Sequence, residues 1–254
     1  MLYSDEKIKK AQKSLLIIDD FIEDQDLLEE IENDKTFFPE YMGSESRQLK
    51  KGNIYHSEDS EVFSPWMFWD GWWRSPADTL KKRVIQKIWE DNLPCPIEDI
   101  VGFEYWTRTY SPGQYLPIHL DEDTFAYEKD GEFRCPVLGA VYYPSISIDP
   151  ESDPGSLLIH PGRVKIDREK KYQLKSANTE GHEEMLELKK FYSKDGHTDV
   201  IAYRPNRLII FDAGMVLHGT TPNGENGKRY IMGINAWHKN DPPLGSQENL
   251  FFTE

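Results

Sequence analysis

The residues best placed to do chemistry are His119, Asp121 and His218, with Arg229 following the second histidine. Two imidazoles and one carboxylate can occupy one face of an octahedral Fe(II), which leaves three adjacent positions open for a bidentate co-substrate and O2. Because side chains alternate along a β-strand, the first two residues would point to the same side and share one ion. The third ligand would come from a distant strand. A cation beyond it suits the far carboxylate of a dicarboxylate co-substrate.

A second His-x-Asp pair, His197 and Asp199, shows that this short pattern alone is a weak signal. The pair lies in a polar stretch typical of a surface loop, and it precedes His218 by 21 residues (218 − 197), which leaves little chain for intervening strands. His119 lies in the apolar segment 115–121 and precedes His218 by 99 residues (218 − 119). We therefore predict that His119, and not His197, belongs to the site.

Composition bounds the class of protein. A chain of 254 residues can form one β-rich domain with flanking elements or two small domains, and it can bury a sizeable core. Cys95 and Cys135 are the only cysteines, so neither a disulfide framework nor a zinc ribbon is expected. Residues 1–13 are charged and lack an apolar run, so we predict no signal peptide, no membrane span and a reducing cytoplasmic location.

The charge balance is strongly acidic. Lys plus Arg number 30 and Asp plus Glu number 45, which gives a formal charge of −15. A field of that sign repels phosphate backbones and disfavours a nucleic-acid substrate, although a local basic groove would override it. The simpler interpretation of the charge is solubility. The sequence gives no indication of oligomeric state.

The first third of the chain shows mixed structure. A short buried strand is predicted over 14–18, followed by a helix that begins after Asp24 or Asp26 and ends near Asn33. Apolar residues at helical spacing predict another helix over 75–91. Between them lies an irregular segment rich in aromatic residues, densest over positions 66–73, which would form either a lid or peptide-binding wall, or a packing cap between helix and sheet.

From residue 99 onward the pattern changes to strands joined by Gly, Pro and Asn turns. The predicted strands cover residues 100–110, 115–120, 137–143, 156–160, 200–203, 207–212 and 230–237. Such spacing favours a sandwich or jelly roll over βαβ units. The polar stretch over about 165–198 is interpreted as an insertion between strands.

At this point a resemblance to a known family is evident. The chain resembles the 2-oxoglutarate- and Fe(II)-dependent oxygenases, and within them the prolyl 4-hydroxylase-like group. The resemblance spans about residues 14–35 and 100–240, and it is much more specific for the superfamily than for a substrate. The segments that carry it are 15–22, 108–121, 154–158, 205–218 and 227–237.

The resemblance implies a mainly β fold with flanking helices (α+β) around a double-stranded β-helix, or jelly-roll, core. In this division, residues 1–98 form an N-terminal helical and aromatic region that packs on the core. Residues 99–240 form the dioxygenase domain with the insertion at about 165–198, and residues 241–254 form a C-terminal tail.

The same resemblance implies roles for individual residues. His119, Asp121 and His218 would bind Fe(II), and Arg229 would bind the distal carboxylate of 2-oxoglutarate. Lys228 competes for this last role, because relatives use lysine there. Strand alternation favours an arginine inside the barrel and sends the lysine to the other face. Tyr110 would hydrogen-bond the same carboxylate, with core packing as its alternative role.

The implied activity is hydroxylation of a substrate C–H bond with Fe(II), 2-oxoglutarate and O2, with 2-oxoglutarate decarboxylated to succinate and ascorbate as reductant. The expected substrate is a peptidyl residue, proline among the candidates, or a small amino-acid-like molecule. Two alternatives remain: the same iron site acting on another substrate such as nucleic acid, and a non-catalytic jelly-roll binding module. The candidate substrate contacts are Trp106, Arg108, Tyr142, Tyr203 and Trp237.

Overall fold

The structure is a computed structural model that describes residues 15–34, 37, 66–93, 95–116, 118–132, 134–144, 152–160, 199–214 and 216–247. The helices are α1 (Gln25–Asn33), α2 (Leu80–Trp89), α3 (Thr124–Asp130) and α4 (Leu244–Gln247), with a 3-10 turn at Ile97–Asp99. The strands are β1 (Leu16–Ile18), β2 (Met67–Trp69), β3 (Ile100–Tyr110), β4 (Leu138–Tyr143), β5 (Ser156–His160), β6 (Asp199–Ala202), β7 (Arg207–Phe211), β8 (Leu217–Thr220) and β9 (Arg229–His238).

The strands form two sheets. The larger has six strands in the order β1-β7-β4-β9-β3-β2, and the smaller has three in the order β6-β5-β8. Every pairing among the described strands is antiparallel. The prediction of a mainly β fold with a few helices is therefore confirmed. Within the described residues, no helix combines the length and apolar character needed to cross a membrane.

Both faces of the six-stranded sheet are buried, and strand alternation divides them. On β7, Leu208 and Ile210 belong to a core shared with the helices, whereas Ile209 and Phe211 belong to a core shared with the smaller sheet. We call these the helix-side face and the inter-sheet face. The inter-sheet core contains Tyr110, Tyr143, Leu157, Ile159, Ile201, Ile209, Phe211, Ala213, Val216 and Ile231.

The two long helices begin at residues whose side chains cap them. Asp24 accepts a hydrogen bond from the Leu27 amide, as predicted for α1, and Thr79 accepts one from the Lys82 amide at 3.3 Å at the start of α2. The second helix was predicted from residue 75. It starts later because Ser75 is held by the indole nitrogen of Trp69 at 2.8 Å.

The aromatic segment over 66–73 packs on the helix-side face. The Phe103 ring on β3 is stacked between Trp72, at 5.8 Å and 8°, and Trp89 of α2, at 6.0 Å and 17°. Aromatic pairs at these centroid distances contribute packing energy beyond the area that they bury. For the described residues the packing-cap interpretation is confirmed, and a lid or peptide-binding wall over the inter-sheet site is wrong, because the cluster lies on the opposite face.

Several predicted elements differ from those observed. The strand predicted over 14–18 is confirmed as β1, but Leu16 and Ile17 are 41% and 43% exposed because β1 is an edge strand. The short elements β2, β8 and α3 were not predicted. The predicted insertion over 165–198 and the end of the C-terminal tail lie outside the described residues.

Candidate metal centre and co-substrate pocket

His119, Asp121 and His218 lie together, with one donor atom from each within 4.8 Å of the others. The Asp121 Oδ1 atom is 3.2 Å from His119 Nε2 and 3.5 Å from His218 Nε2, and the imidazole centroids are 4.2 Å apart. Two donors about 2.1 Å from one ion and at right angles to each other are about 3 Å apart. The two distances from the carboxylate to the imidazole nitrogens are therefore close to those on one face of an octahedral ion, and the third donor separation lies within 4.8 Å.

Backbone hydrogen bonds, rather than a regular strand, position the first two residues. A strand was predicted over 115–120, but the described part of this segment forms an isolated bridge, in which the His119 amide donates to the His218 carbonyl at 2.8 Å and the reverse bond is 2.9 Å long; the Thr220 amide also donates to the Leu116 carbonyl at 2.8 Å. The Asp121 amide donates to the Ala213 carbonyl at 2.9 Å. Side chains at 119 and 121 thus converge through two separate anchors, not through strand alternation.

The buried His218 ring is held in one orientation. Its Nδ1 atom lies 3.1 Å from the Val216 carbonyl, and Phe211 packs edge-on against the ring at 4.8 Å. A carbonyl can only accept, so Nδ1 carries a proton and Nε2 is the ring nitrogen that faces Asp121. An imidazole fixed in this way is prepared to bind a metal ion through Nε2.

Asp121 is the anionic member of the cluster. Burial acts to raise the pKa of its carboxyl, but the adjacent His218 and His119 rings lower it more, and the net pKa is well below its usual range. The group is therefore a carboxylate at neutral pH. Two imidazoles and one carboxylate form a donor set that suits a divalent transition-metal ion.

Arg229 lies beside this cluster, completely buried at the start of β9. Its Nη2 donates to Thr220 Oγ1 at 2.8 Å, and Thr220 follows His218 by two residues on β8, so both side chains point to the same side. Its Nη1 donates to the Pro154 carbonyl at 2.8 Å, and Nε is buried without a partner. Lys228, the competing residue, precedes β9 and is exposed to solvent, whereas Arg229 is completely buried.

A glycine makes the approach of Pro154 to Arg229 possible. Gly155 has φ +71°, a left-handed conformation that L side chains rarely adopt. A Cβ there would lie 2.7 Å from Arg229 Nη1 and 2.8 Å from the Thr221 carbonyl oxygen. The backbone of this turn therefore packs directly against the guanidinium.

Three tyrosines surround Arg229. The guanidinium carbon lies 4.5 Å from the Tyr110 ring centroid, and Arg108 lies 4.6 Å from the same ring. The hydroxyls of Tyr143 and Tyr203 are buried without hydrogen-bond partners, and the two rings are 4.7 Å apart. Burial raises the pKa of Tyr143 to about 12, so its hydroxyl is a donor at neutral pH.

Tyr142, expected to line the pocket, faces the helices instead. It belongs to the helix-side core, where its hydroxyl lies 3.2 Å from Asn206 Oδ1 and its ring packs edge-on against Phe21. Strand alternation explains the correction, since adjacent residues of β4 point to opposite faces. Tyr143 occupies the inter-sheet position, and the sequence analysis missed it although the alternation of β4 could have indicated it.

The remaining expected substrate contacts lie on the inter-sheet face. Trp106 lies against β9, where a Cβ on Gly233 would be 2.4 Å from the indole ring. The Trp237 Nε1 atom donates to Glu104 at 3.3 Å. Glu104 was also missed, although it stands at the even spacing of Tyr110, Arg108 and Trp106 on β3.

Comparison with known proteins gives similarity at the level of solved structures. No protein-family model and no curated protein matches the sequence. Solved structures similar to it include prolyl hydroxylases and HygX, which are 2-oxoglutarate/Fe(II) oxygenases. One is a Pseudomonas putida prolyl-4-hydroxylase, 14% identical with a TM-score of 0.47, covering 91% of this chain and 90% of its own.

Two further structures show the same degree of similarity. HygX from Streptomyces hygroscopicus, with nickel and 2-oxoglutarate bound, is 14% identical with a TM-score of 0.45, covering 93% of this chain and 87% of its own. A Trichoplax adhaerens prolyl hydroxylase, in complex with a hypoxia inducible factor peptide, is 14% identical with a TM-score of 0.47, covering 97% and 99%. At this distance the similarities do not bear on substrate or mechanism.

Proposed function

We propose that the protein is an Fe(II)- and 2-oxoglutarate-dependent dioxygenase that hydroxylates a C–H bond of a peptidyl residue or of a small amino-acid-like substrate. The observation that carries the proposal is the triangle of His119, Asp121 and His218 with the buried Arg229 beside it. Three donors on one side of an ion leave coordination positions for a bidentate co-substrate and O2. A jelly-roll core is part of the proposal, supported by two antiparallel sheets that enclose the site.

The residues present fit both groups. His119, Asp121 and His218 would hold Fe(II), which with 2-oxoglutarate and O2 supplies the oxidation of the C–H bond while 2-oxoglutarate is converted to succinate. Arg229 would bind and orient the distal carboxylate through its unpartnered Nε. This charge-assisted hydrogen bond lies in the plane of the guanidinium, a geometry that the ammonium group of lysine does not offer. The buried tyrosine hydroxyls are placed to donate to the same carboxylate.

The unpartnered polar atoms around Arg229 support a bound anion. Buried polar groups normally have hydrogen-bond partners, and leaving one without a partner costs about 1–3 kcal/mol. Arg229 Nε and the hydroxyls of Tyr143 and Tyr203 lack partners within one pocket. A dicarboxylate would satisfy them together, whereas a non-catalytic jelly-roll module would leave their cost unexplained.

The other alternative, a nucleic-acid substrate for the same iron site, is disfavoured by charge. The formal charge of −15 repels a phosphate backbone. The carboxylates of Glu104, Asp121 and Asp123 interact with one another near the metal cluster, and they add local repulsion to the net charge.

The test is formation of succinate from 2-oxoglutarate in the presence of Fe(II), O2 and ascorbate. His119→Ala removes one donor, and we expect succinate formation and Mn(II) binding, measured by calorimetry, to fall by at least about 100-fold. His238→Ala at the far end of β9 is the matched control and should remain within about twofold of the wild type. Equal succinate formation by His119→Ala and the wild type would make the iron assignment wrong. A screen of proline-containing peptides and free amino acids then tests the substrate.

A further inference from the structure

The inter-sheet face of β3 carries a carboxylate, Glu104, that binding of the metal and the co-substrate does not require. Glu104 and Tyr110 point to the same side of the strand, six residues and about 20 Å apart. Glu104 accepts hydrogen bonds from Asn235 Nδ2 at 3.4 Å and from Trp237 Nε1 at 3.3 Å. Both donors are neutral and both bonds are long. Among the described residues, no lysine, arginine or histidine forms an ion pair with Glu104.

Glu104 adjoins the metal cluster through a chain of contacts. Its partner Asn235 lies over Gly139, where a Cβ would be 2.9 Å from Asn235 Oδ1 and 2.5 Å from the Cβ of Ala213. The Ala213 carbonyl in turn accepts the Asp121 amide. Burial, followed by the charges of Asp121 and Asp123, raises the pKa of Glu104 to about 8. The carboxylate is thus within electrostatic reach of the metal ligand.

The two ends of the inter-sheet site therefore differ in charge. One end holds Arg229, Arg108 and unpartnered tyrosine hydroxyls, which suit a dicarboxylate. The other end holds Glu104, near Asp121, and its aromatic neighbours Trp106 and Trp237. If 2-oxoglutarate takes the cationic end, the acidic end is the part of the inter-sheet face that remains for a substrate.

Electrostatics at the acidic end select the kind of substrate. A second anion would be repelled by the Glu104 and Asp121 carboxylates, and a neutral group would leave Glu104 either uncompensated or protonated. A cation satisfies the carboxylate without either cost. A buried carboxyl that has no cationic partner in the free protein discriminates between ligands, because a cation favours its ionised form and an anion opposes it.

We propose that Glu104 is the substrate-recognition residue, and that the substrate presents a protonated amine to it. This inference rests on the proposed dioxygenase function and narrows its substrate class to amines. Two sources share that chemistry: a small molecule with a free amine, and the lysine side chain of a peptide. Glu104 would contact the substrate and take no part in binding iron or 2-oxoglutarate.

Substitution of Glu104 separates recognition from a structural role. Glu104→Gln keeps the length of the side chain and an oxygen that accepts from Asn235 and Trp237, but it removes the charge. Glu104→Asp keeps the charge and shortens the side chain. If Glu104 only anchored its two neighbours, Glu104→Gln would affect amines and neutral analogues equally.

The experiment uses matched pairs of an amine and its N-acetyl derivative. The pairs are leucine amide, glucosamine, hexylamine, and a lysine-containing peptide with the lysine free or acetylated. Affinity is measured by calorimetry on protein loaded with Mn(II) and 2-oxoglutarate, and turnover by amine-stimulated succinate formation with Fe(II). For the best pair, we expect acetylation to weaken binding at least about tenfold in the wild type and at most about twofold in Glu104→Gln, where tenfold corresponds to about 1.4 kcal/mol.

Controls keep this proposal distinct from the proposed function. Glu98→Gln is the same substitution at an exposed position before β3. It should retain the wild-type ratio of amine affinity to acetylated-amine affinity, and Glu104→Asp should retain most of that ratio. If no amine binds the wild type more tightly than its acetyl partner, or if the ratio is unchanged in Glu104→Gln, the proposal is wrong. The dioxygenase function fails on a separate result, succinate formation that does not depend on His119.

Discussion

The two faces of the six-stranded sheet are built from the same strands but hold different kinds of side chain. The helix-side face is filled by aliphatic and aromatic residues such as Phe103 and Leu208, which pack on α1 and α2. The inter-sheet face carries the charged residues Arg229 and Glu104. It also carries tyrosine hydroxyls that have no hydrogen-bond partner. One face therefore stabilises the fold, and the other keeps buried polar groups ready for ligands at a cost in stability.

The polar groups on the two faces also differ in how well they are satisfied. On the helix side, Asn206 accepts from the Ile22 amide at 3.0 Å, donates to the Ile22 carbonyl at 2.9 Å and contacts Tyr142. On the inter-sheet side, the Tyr143 hydroxyl and Arg229 Nε have no partner. A satisfied network adds to stability and rigidity. Trp89 Nε1 on the helix side also lacks a partner, but on the inter-sheet side several unpartnered groups surround Arg229, and such a group of unsatisfied polar atoms indicates where a ligand would bind. Paired substitutions on the two faces should separate these effects.

The largest effect on stability is expected from Phe103→Ala on the helix-side face. The substitution removes a ring stacked between Trp72 and Trp89, and the loss in free energy of unfolding should be about 3–5 kcal/mol. Urea denaturation measures it. The folded fraction should bind 2-oxoglutarate with unchanged affinity, because this ring lies on the other side of the sheet. A loss below about 1 kcal/mol would show that the aromatic cluster does not support the fold.

The largest effect on co-substrate binding is expected from Arg229→Met on the inter-sheet face. Removing the buried guanidinium leaves the distal carboxylate of 2-oxoglutarate without its counter-charge, so KM for 2-oxoglutarate should rise about 100-fold or more. Lys228→Met, at the adjacent exposed position, is the control and should change KM by less than about twofold. Thermal melting should show little loss, because burial of this cation is itself costly. An equal rise in KM for both variants would contradict the assignment.

Sequence patterns located the strands and the metal cluster because these depend on local signals. Alternation over 100–110 and 207–212 fixed which residues share a face, and alternation over 229–237 favoured Arg229 over Lys228. Separation along the chain favoured His119 over His197, although His197 lies outside the described residues. Turn residues and apolar periodicity are properties of a few neighbouring positions, so a single sequence contains them.

Features that depend on long-range contacts could not be predicted. The strand expected over 115–120 is replaced by a single bridge, because its partner is the short strand around His218. Tyr142 was placed in the pocket because either face of β4 reads as apolar, and only the register with β7 and β9 decides between them. Strand spacing places Glu104 on the face of Tyr110, but only the assembled sheets bring it near Asp121.

A smaller effect, on stability as a function of pH, is expected from Glu104→Gln. In the metal-free protein the pKa of Glu104 is about 8, against 4.5 for an ordinary glutamate. Between pH 4.5 and pH 8 the folded state therefore keeps the Glu104 proton, whereas the unfolded state has released it. The stability that the folded state gains by keeping this proton is therefore lost as the pH rises from about 4.5 to 8. At pH 8.5, Glu104→Gln should be more stable than the wild type by on the order of 2 kcal/mol. Near pH 4.5, the two proteins should be equally stable.

Thermal melting in EDTA at the two pH values measures this difference, with Glu98→Gln as the exposed control. Glu98→Gln should match the wild type at both values. A constant difference between Glu104→Gln and the wild type across this range would mean that the carboxyl titrates normally. In that case its burial near Asp121 would carry no electrostatic cost.

The smallest effect is expected from the two adjacent tyrosines of β4, which should respond in opposite ways. Tyr142→Phe removes a hydroxyl bonded to Asn206, so the free energy of unfolding should fall by about 1 kcal/mol while KM for 2-oxoglutarate stays constant. Tyr143→Phe removes a hydroxyl without a partner, so stability should hold while KM for 2-oxoglutarate rises about five- to tenfold. Denaturation and initial-rate measurements on the same two proteins test both halves. If Tyr142→Phe raises KM as much as Tyr143→Phe, the division of function between the two faces is wrong.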